Sequence, residues 1–264
     1  MMKEFKFALY AIKKNFQSSA ELRVSFVMNI IAMALNNTSF VILWVFFVKS
    51  VGVIGGWTAA DVVGLQGFTT LSFGIVMSAG YGIRKLTTYV ASGTFDRFML
   101  SPKNLLTRVA TSALNTSALG DVLFGIICLG VFIFLIHASL LQIALIAYLV
   151  FLATIISLAA MIAVFSTSFF FTDADAVSGG FFELFLTPSL FHGGAFQGTM
   201  RFIFTFIIPA LAVGTLPVEA VRSMSLENII TLTLLAVFWF ILSIFIFNYA
   251  VRKYESTNFM TFGS

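Results

Sequence analysis

Two carboxylates sit in stretches oily enough to live in lipid, and they are the side chains of this sequence that could do chemistry there. Asp121 lies in SALGDVLFGIICLG and Glu183 in GGFFELFL. Holding a carboxylate in hydrocarbon is costly. Each therefore reads either as a substrate contact or proton carrier, or as a hydrogen-bonded residue that packs one helix on another. Asn36 and Asn37, with Asn29, Thr38 and Ser39, pose the same alternative in the first apolar run: interhelical hydrogen bonds or a polar path for substrate. Templates for catalysis are missing. His137 and His192 have no H-E-x-x-H or Cys/His ligand spacing, so no metal is expected. No G-x-S-x-G elbow occurs and nothing matches G-x-x-x-x-G-K-[ST], so the chain is not expected to act as an enzyme or to hydrolyse nucleotide by itself.

The elements that must position these groups are set by composition. Mean hydropathy is +1.03, and only 10% of residues are charged, where a soluble domain carries roughly a quarter. The chain reads as a polytopic membrane protein with lipid around it. Its net charge of +4 is topological, marking the cytoplasmic side of the spans rather than a nucleic-acid partner. Cys128 is the single cysteine, within an apolar run, so there is no disulfide framework. The first apolar run is too long for the core of a cleaved signal peptide. Five runs, 24–48, 59–81, 110–136, 141–171 and 228–250, are long enough to cross a core of about 30 Å as helices. Between 176 and 220 the pattern breaks, with Pro188 near the end of one short apolar stretch and Arg201, Pro209 and Pro217 in the next.

Charge decides how the broken region is counted. Lys3, Lys6, Lys13, Lys14 and Arg23 precede the first span; Arg84, Lys85, Arg97, Lys103 and Arg108 fall at 82–109; Arg252 and Lys253 follow the last span. All three groups belong inside, so the crossings must be even in number. One crossing at 176–194 and a re-entrant hairpin at 195–220, dipping in from outside, meet that condition and leave only Lys49, Arg201 and Arg222 outside. Irregular backbone at membrane depth is tolerated where protein or a wet cavity surrounds it. The alternative is a proline-kinked helix followed by an outside loop. The fold expected is all-α, with six transmembrane helices. Residues 1–20 carry Phe5, Leu9, Ile12 and Phe16 on one stripe flanked by lysines, the pattern of a helix lying in the membrane interface.

ASGTFDRFMLSPKN, residues 91–104, interrupts the oily pattern with a compact charged turn. Gly93 suits the left-handed position that closes a helix, Thr94 is expected to cap two further turns, and Ser101-Pro102 to start the third span. Phe95, Phe98 and Met99 would then stand exposed beside Asp96 and Arg97, either as a docking knob or as an interfacial helix. Gly120, Gly125 and Gly130 are expected to allow close helix approach in the third span.

SGTFDRFMLSPKN resembles the small-Gly-x-Leu/Phe-Asp-Arg-x-Leu-x-x-Pro segment of the ABC-2 family transporter permeases, in a bacterial branch of similar length. The resemblance continues in GGWTAADVVGLQGF, LGDVLFG and FTFIIPALAVGTLPVEAV, and so covers nearly the whole chain. It implies six spans, an N-terminal interface helix, a cytoplasmic coupling helix at 82–104 and an extracellular re-entrant hairpin. It also implies an ATP-driven exporter of the bacterial inner membrane with both termini cytoplasmic. The chain would act as a permease with a second copy or a paralogue, and ATP and Mg would bind a separate ATPase subunit that Phe95, Asp96, Arg97, Phe98 and Met99 contact. Thr94-Phe95 departs from the family's usual Glu-Leu, removing an acid while keeping the apolar residue. A proton-coupled secondary transporter using Asp121 or Glu183 is the other reading.

Overall fold

A computed structural model describes residues 2–51, 56–171 and 173–254, and their regular structure is helical. The side chains of Lys3 and Lys49, which enter the charge pattern, lie outside what is described. Helix α1 (Met2–Glu21) leads into α2 (Arg23–Val51), and α3 (Ala59–Ala79) follows. Three short helices, α4 (Tyr81–Arg84), α5 (Leu86–Ala91) and α6 (Asp96–Met99), precede α7 (Leu105–Ala110). Next come α8 (Ala118–Leu135), α9 (Leu140–Phe165) with a 3-10 turn at Ser166–Phe169, and α10 (Ala174–Ser189). The chain continues as α11 (Gly198–Phe202), a π-helical turn at Ile203–Ile207, α12 (Thr215–Ser223) and α13 (Leu226–Val251).

Among the described residues, five helices are long and apolar enough to cross a membrane: α2, α3, α8, α9 with its 3-10 extension, and α13. Their starts are written in local chemistry. Thr58 and Asp61 form a reciprocal capping box at α3, as do Ser139 and Gln142 at α9. The expected third span at 110–136 is corrected by a break: residues 111–117 are not helical, and α8 begins only at Ala118. The physical reason is the polar run TSALNTS, in which Asn115 Oδ1 accepts from both the amide and the hydroxyl of Ser117. Such local bonds compete with helix. Helix α10 has 16 residues, about 24 Å at 1.5 Å per residue, and is shorter than the other five.

Helix α3 forms the centre. Every residue from Asp61 to Gly74 is buried, and its most extensive partner is α8. The approach is close because a Cβ on Gly125 would stand 2.7 Å from the Leu71 Cα. Gly120 gives the same freedom toward α2, where a Cβ would meet that of Met33 at 2.8 Å. Gly130 corrects the expectation for it: nothing lies within 4 Å of a Cβ there. Helix α13 packs mainly on α9. By contrast, no residue of α2 from Arg23 to Phe46 is buried.

The bundle has two distinct ends. The one termed proximal gathers α1, α4 to α7, the start of α10 and the end of α13, tied by Glu4 to the Asn104 amide and by Thr87 to Asp175. The distal end gathers the start of α3, α12 and the starts of α9 and α13, where Gln142 donates to the Val221 carbonyl.

Candidate functional site

Asn36, Asn37, Asp121 and Glu183, widely spaced in sequence, line one cavity of about 560 Å³. Helix α8 contributes Asp121 from its first turn, not from mid-span as the unbroken helix implied. Asn37 of α2 donates from Nδ2 to Asp121 Oδ1 at 2.6 Å. Glu183, on the exposed face of α10, lines the same cavity with Phe182. Phe73 and Met77 of α3 also line it, and Tyr81, Arg84, Asn115 and Ser117 line its proximal part. Thr38 and Ser39 bond instead to carbonyls of their own helix, at Ala34 and Leu35. Arg84, Thr69 and Thr70 also line this cavity, yet nothing in their immediate neighbours marks them: they meet the acids only through tertiary packing.

The stretch expected to form a coupling segment departs from that expectation in four ways. Gly93 does take the left-handed conformation, with φ 66°. Its amide donates to the Val90 carbonyl at 3.1 Å, and that of Phe95 to Tyr89 at 3.0 Å. Thr94, however, does not cap α6; its hydroxyl pairs with that of Ser92. Helix α6 is a single turn rather than two. Ser101 does not start a span; Asn104 instead caps α7 by accepting from the Thr107 amide at 3.0 Å. Most consequentially, Phe95 and Phe98 are not exposed but 0% and 6% accessible. The Phe95 ring lies 5.0 Å from each of the Phe169 and Tyr254 rings, and Phe98 lies 5.1 Å from Tyr89. The guanidinium of Arg97 lies over the Phe98 ring at 5.2 Å, while Arg108 donates to the Phe98 carbonyl. What protrudes is Met99, 52% accessible, and Leu100, 86% accessible. An aromatic turn that finds partners folds inward, because burying the rings outweighs leaving them exposed.

At the distal end, residues 195–220 double back on themselves. The Ile208 amide donates to the Ile203 carbonyl at 2.8 Å, closing the π-turn, and Pro209 follows. Residues 210–213 are fully buried. A Cβ on Gly214 would stand 3.0 Å from Leu65 Cδ1, six residues into α3. From there α12 returns to the distal end. Pro217 sits in its first turn, where a missing amide hydrogen costs nothing. Two ion pairs hold the arrangement: Arg201 to Glu219 at 2.6 Å and Arg222 to buried Asp61 at 3.1 Å. The last carbonyls of α10 are bound to α3, Ser189 by Thr69 and Leu190 by Gln66. Asp61 and Glu219 were not singled out from sequence, although Thr-x-x-Asp ahead of an apolar run was a readable cap signal.

Long apolar helices around a central α3, with a polar cavity among them, define a multi-pass membrane protein. The chain belongs to the ABC-2 family transporter proteins, whose family model matches residues 33–258. It is thus an ABC transporter permease, a membrane transport component rather than the catalytic one, and membership implies an ATPase partner. Neither the curated proteins nor the solved structures gave a match.

Proposed function

We propose that this permease works as an exporter, paired with a second copy or a paralogue and energised by separate ATPase subunits that bind ATP and Mg. In this reading the proximal end is cytoplasmic, because the basic clusters of α1, 82–109 and 252–253 lie there. The protein sits in a bacterial inner membrane with both termini inside. Helices α2, α3, α8, α9, α10 and α13 make six crossings, and 195–220 is an extracellular re-entrant hairpin shielded by the helices around it. The exposed Met99 and Leu100, with Asp96 and Arg97 beside them, are the surface of α6 offered to the ATPase. Phe95 and Phe98 support that surface from beneath.

The observation that carries this reading is the gathering of Asn36, Asn37, Asp121 and Glu183 in one cavity whose lining extends to Tyr81 and Arg84 at the proximal end. Substrate loaded there comes from the cytoplasm. A cysteine at Asn36, in a Cys128→Ala background and with the ATPase present, tests it. An impermeant thiol reagent should reach that cysteine from the cytoplasmic side without nucleotide, and from the outside once ATP and vanadate trap the closed ATPase. Labelling indifferent to nucleotide would refute it. The two carboxylates in one cavity keep proton coupling as the competing reading. Activity that survives ATP depletion and collapses with an uncoupler would establish that alternative.

A further inference from the structure

We propose that the cavity selects amphipathic organic cations; this rests on the reading of the cavity as the transport path. Among the described residues its lining carries two carboxylates, Asp121 and Glu183, against one guanidinium, that of Arg84. Arg84 makes no ion pair with either acid. Its guanidinium lies over the Phe165 and Phe182 rings, at 5.5 and 5.3 Å. The ion pairs among the described residues are both at the distal end. Asp121 is held by the neutral amide of Asn37 on one oxygen only, which orients the carboxylate without cancelling its charge. The chamber is therefore net negative.

The sign of the preference follows from what each ligand would change. Charges at membrane depth are costly and normally paired, so an arriving cation relieves a deficit that the protein alone leaves. An anion would add a third negative charge. The remaining walls suit the body of such a molecule. Phe73 and Leu186 add apolar wall for flat hydrocarbon. Met33 and Met77 add thioethers that repack around different shapes. The volume of about 560 Å³ falls in the range that encloses a drug-sized molecule. Arg84, in the proximal part of the lining, repels the positive end of such a molecule and so turns it toward the two acids.

The test uses two ions of matched shape and opposite charge, tetraphenylphosphonium and tetraphenylborate, with the permease–ATPase complex in nanodiscs. Equilibrium binding should favour the cation. Asp121→Asn and Glu183→Gln should each weaken cation binding about 10-fold or more, the scale of losing one charged partner. Asp121→Glu should restore part of the affinity, and thermal unfolding should confirm that the variants are folded. Equal or tighter binding of the borate would overturn the proposal, as would unchanged cation affinity in a folded Asp121→Asn, Glu183→Gln double variant. Cation binding that persists although nucleotide never changes exposure of the cavity supports the site and overturns the transport reading. Nucleotide-driven exposure with no preference between the two ions does the reverse.

Discussion

Replacing Phe95 by Ala separates an inward-facing α6 turn from a protruding one. The ring is fully buried and lies in edge contact with Phe169 and Tyr254. Removing it leaves a cavity beneath α6 that the rigid ends of α9 and α13 cannot readily fill. Buried Phe→Ala changes cost about 3–5 kcal/mol. In a chain of this size that is a drop of roughly 6–20 °C in Tm. Leu100→Ala, by contrast, removes a side chain that is 86% accessible and should move stability by less than about 0.5 kcal/mol. The assay is built into the molecule. Cys128 is its single cysteine and is buried, so a thiol-reactive dye reports unfolding as the temperature rises. Phe95→Ala should unmask Cys128 early. A Met99→Ala, Leu100→Ala double variant should melt as the parent does but fail to retain the ATPase during purification. A Phe95→Ala protein with parental melting that nevertheless loses the ATPase would refute this reasoning and restore an exposed ring.

Two further outcomes follow from the geometry. Gly125→Val should drive α3 and α8 apart and destabilise by about 1–3 kcal/mol or more, whereas Gly130→Val should be neutral; loss of the monodisperse peak on heated size-exclusion chromatography distinguishes them. Single cysteines at Ser223, Ser92 and Lys253, in a Cys128→Ala background, should react with an impermeant reagent outside intact cells only at position 223, and external labelling at 253 would overturn the even number of crossings.

The long spans were readable because a membrane needs about 20 apolar residues in a row, and runs such as 228–250 meet that without help from distant contacts. The acids and asparagines that meet in the cavity were readable for the same reason, since polar groups in oily runs stand out. The direction in which α6 turns its rings was not. Its apolar face is evident at Phe95 and Phe98, and Phe98 meets nearby Tyr89, but the partners that cover Phe95, Phe169 and Tyr254, are distant in sequence. Periodicity shows that a face exists, not what it meets. The break at 111–117 lay closer to the surface of the text. TSALNTS is polar enough to signal a stop, yet the apolar residues after it carry a hydropathy window across the gap. Arg222 and Asp61 illustrate the other limit, since nothing local to either residue names its partner.

The seating of Phe95 between Phe169 and Tyr254 also bears on how the protein is made. A ribosome delivers Phe95 first and Tyr254 roughly 160 residues later, a wait of about 10–30 s at ordinary rates of synthesis. Throughout that interval Phe95 lacks one of the two distant rings that cover it in the finished protein. A nascent or truncated chain thus carries a sticky flag that is lowered only when α13 has been threaded and its tail has come to rest beside α9. If the ATPase docks on Met99 and Leu100 as proposed, it finds a firm platform only on permeases that have been completed.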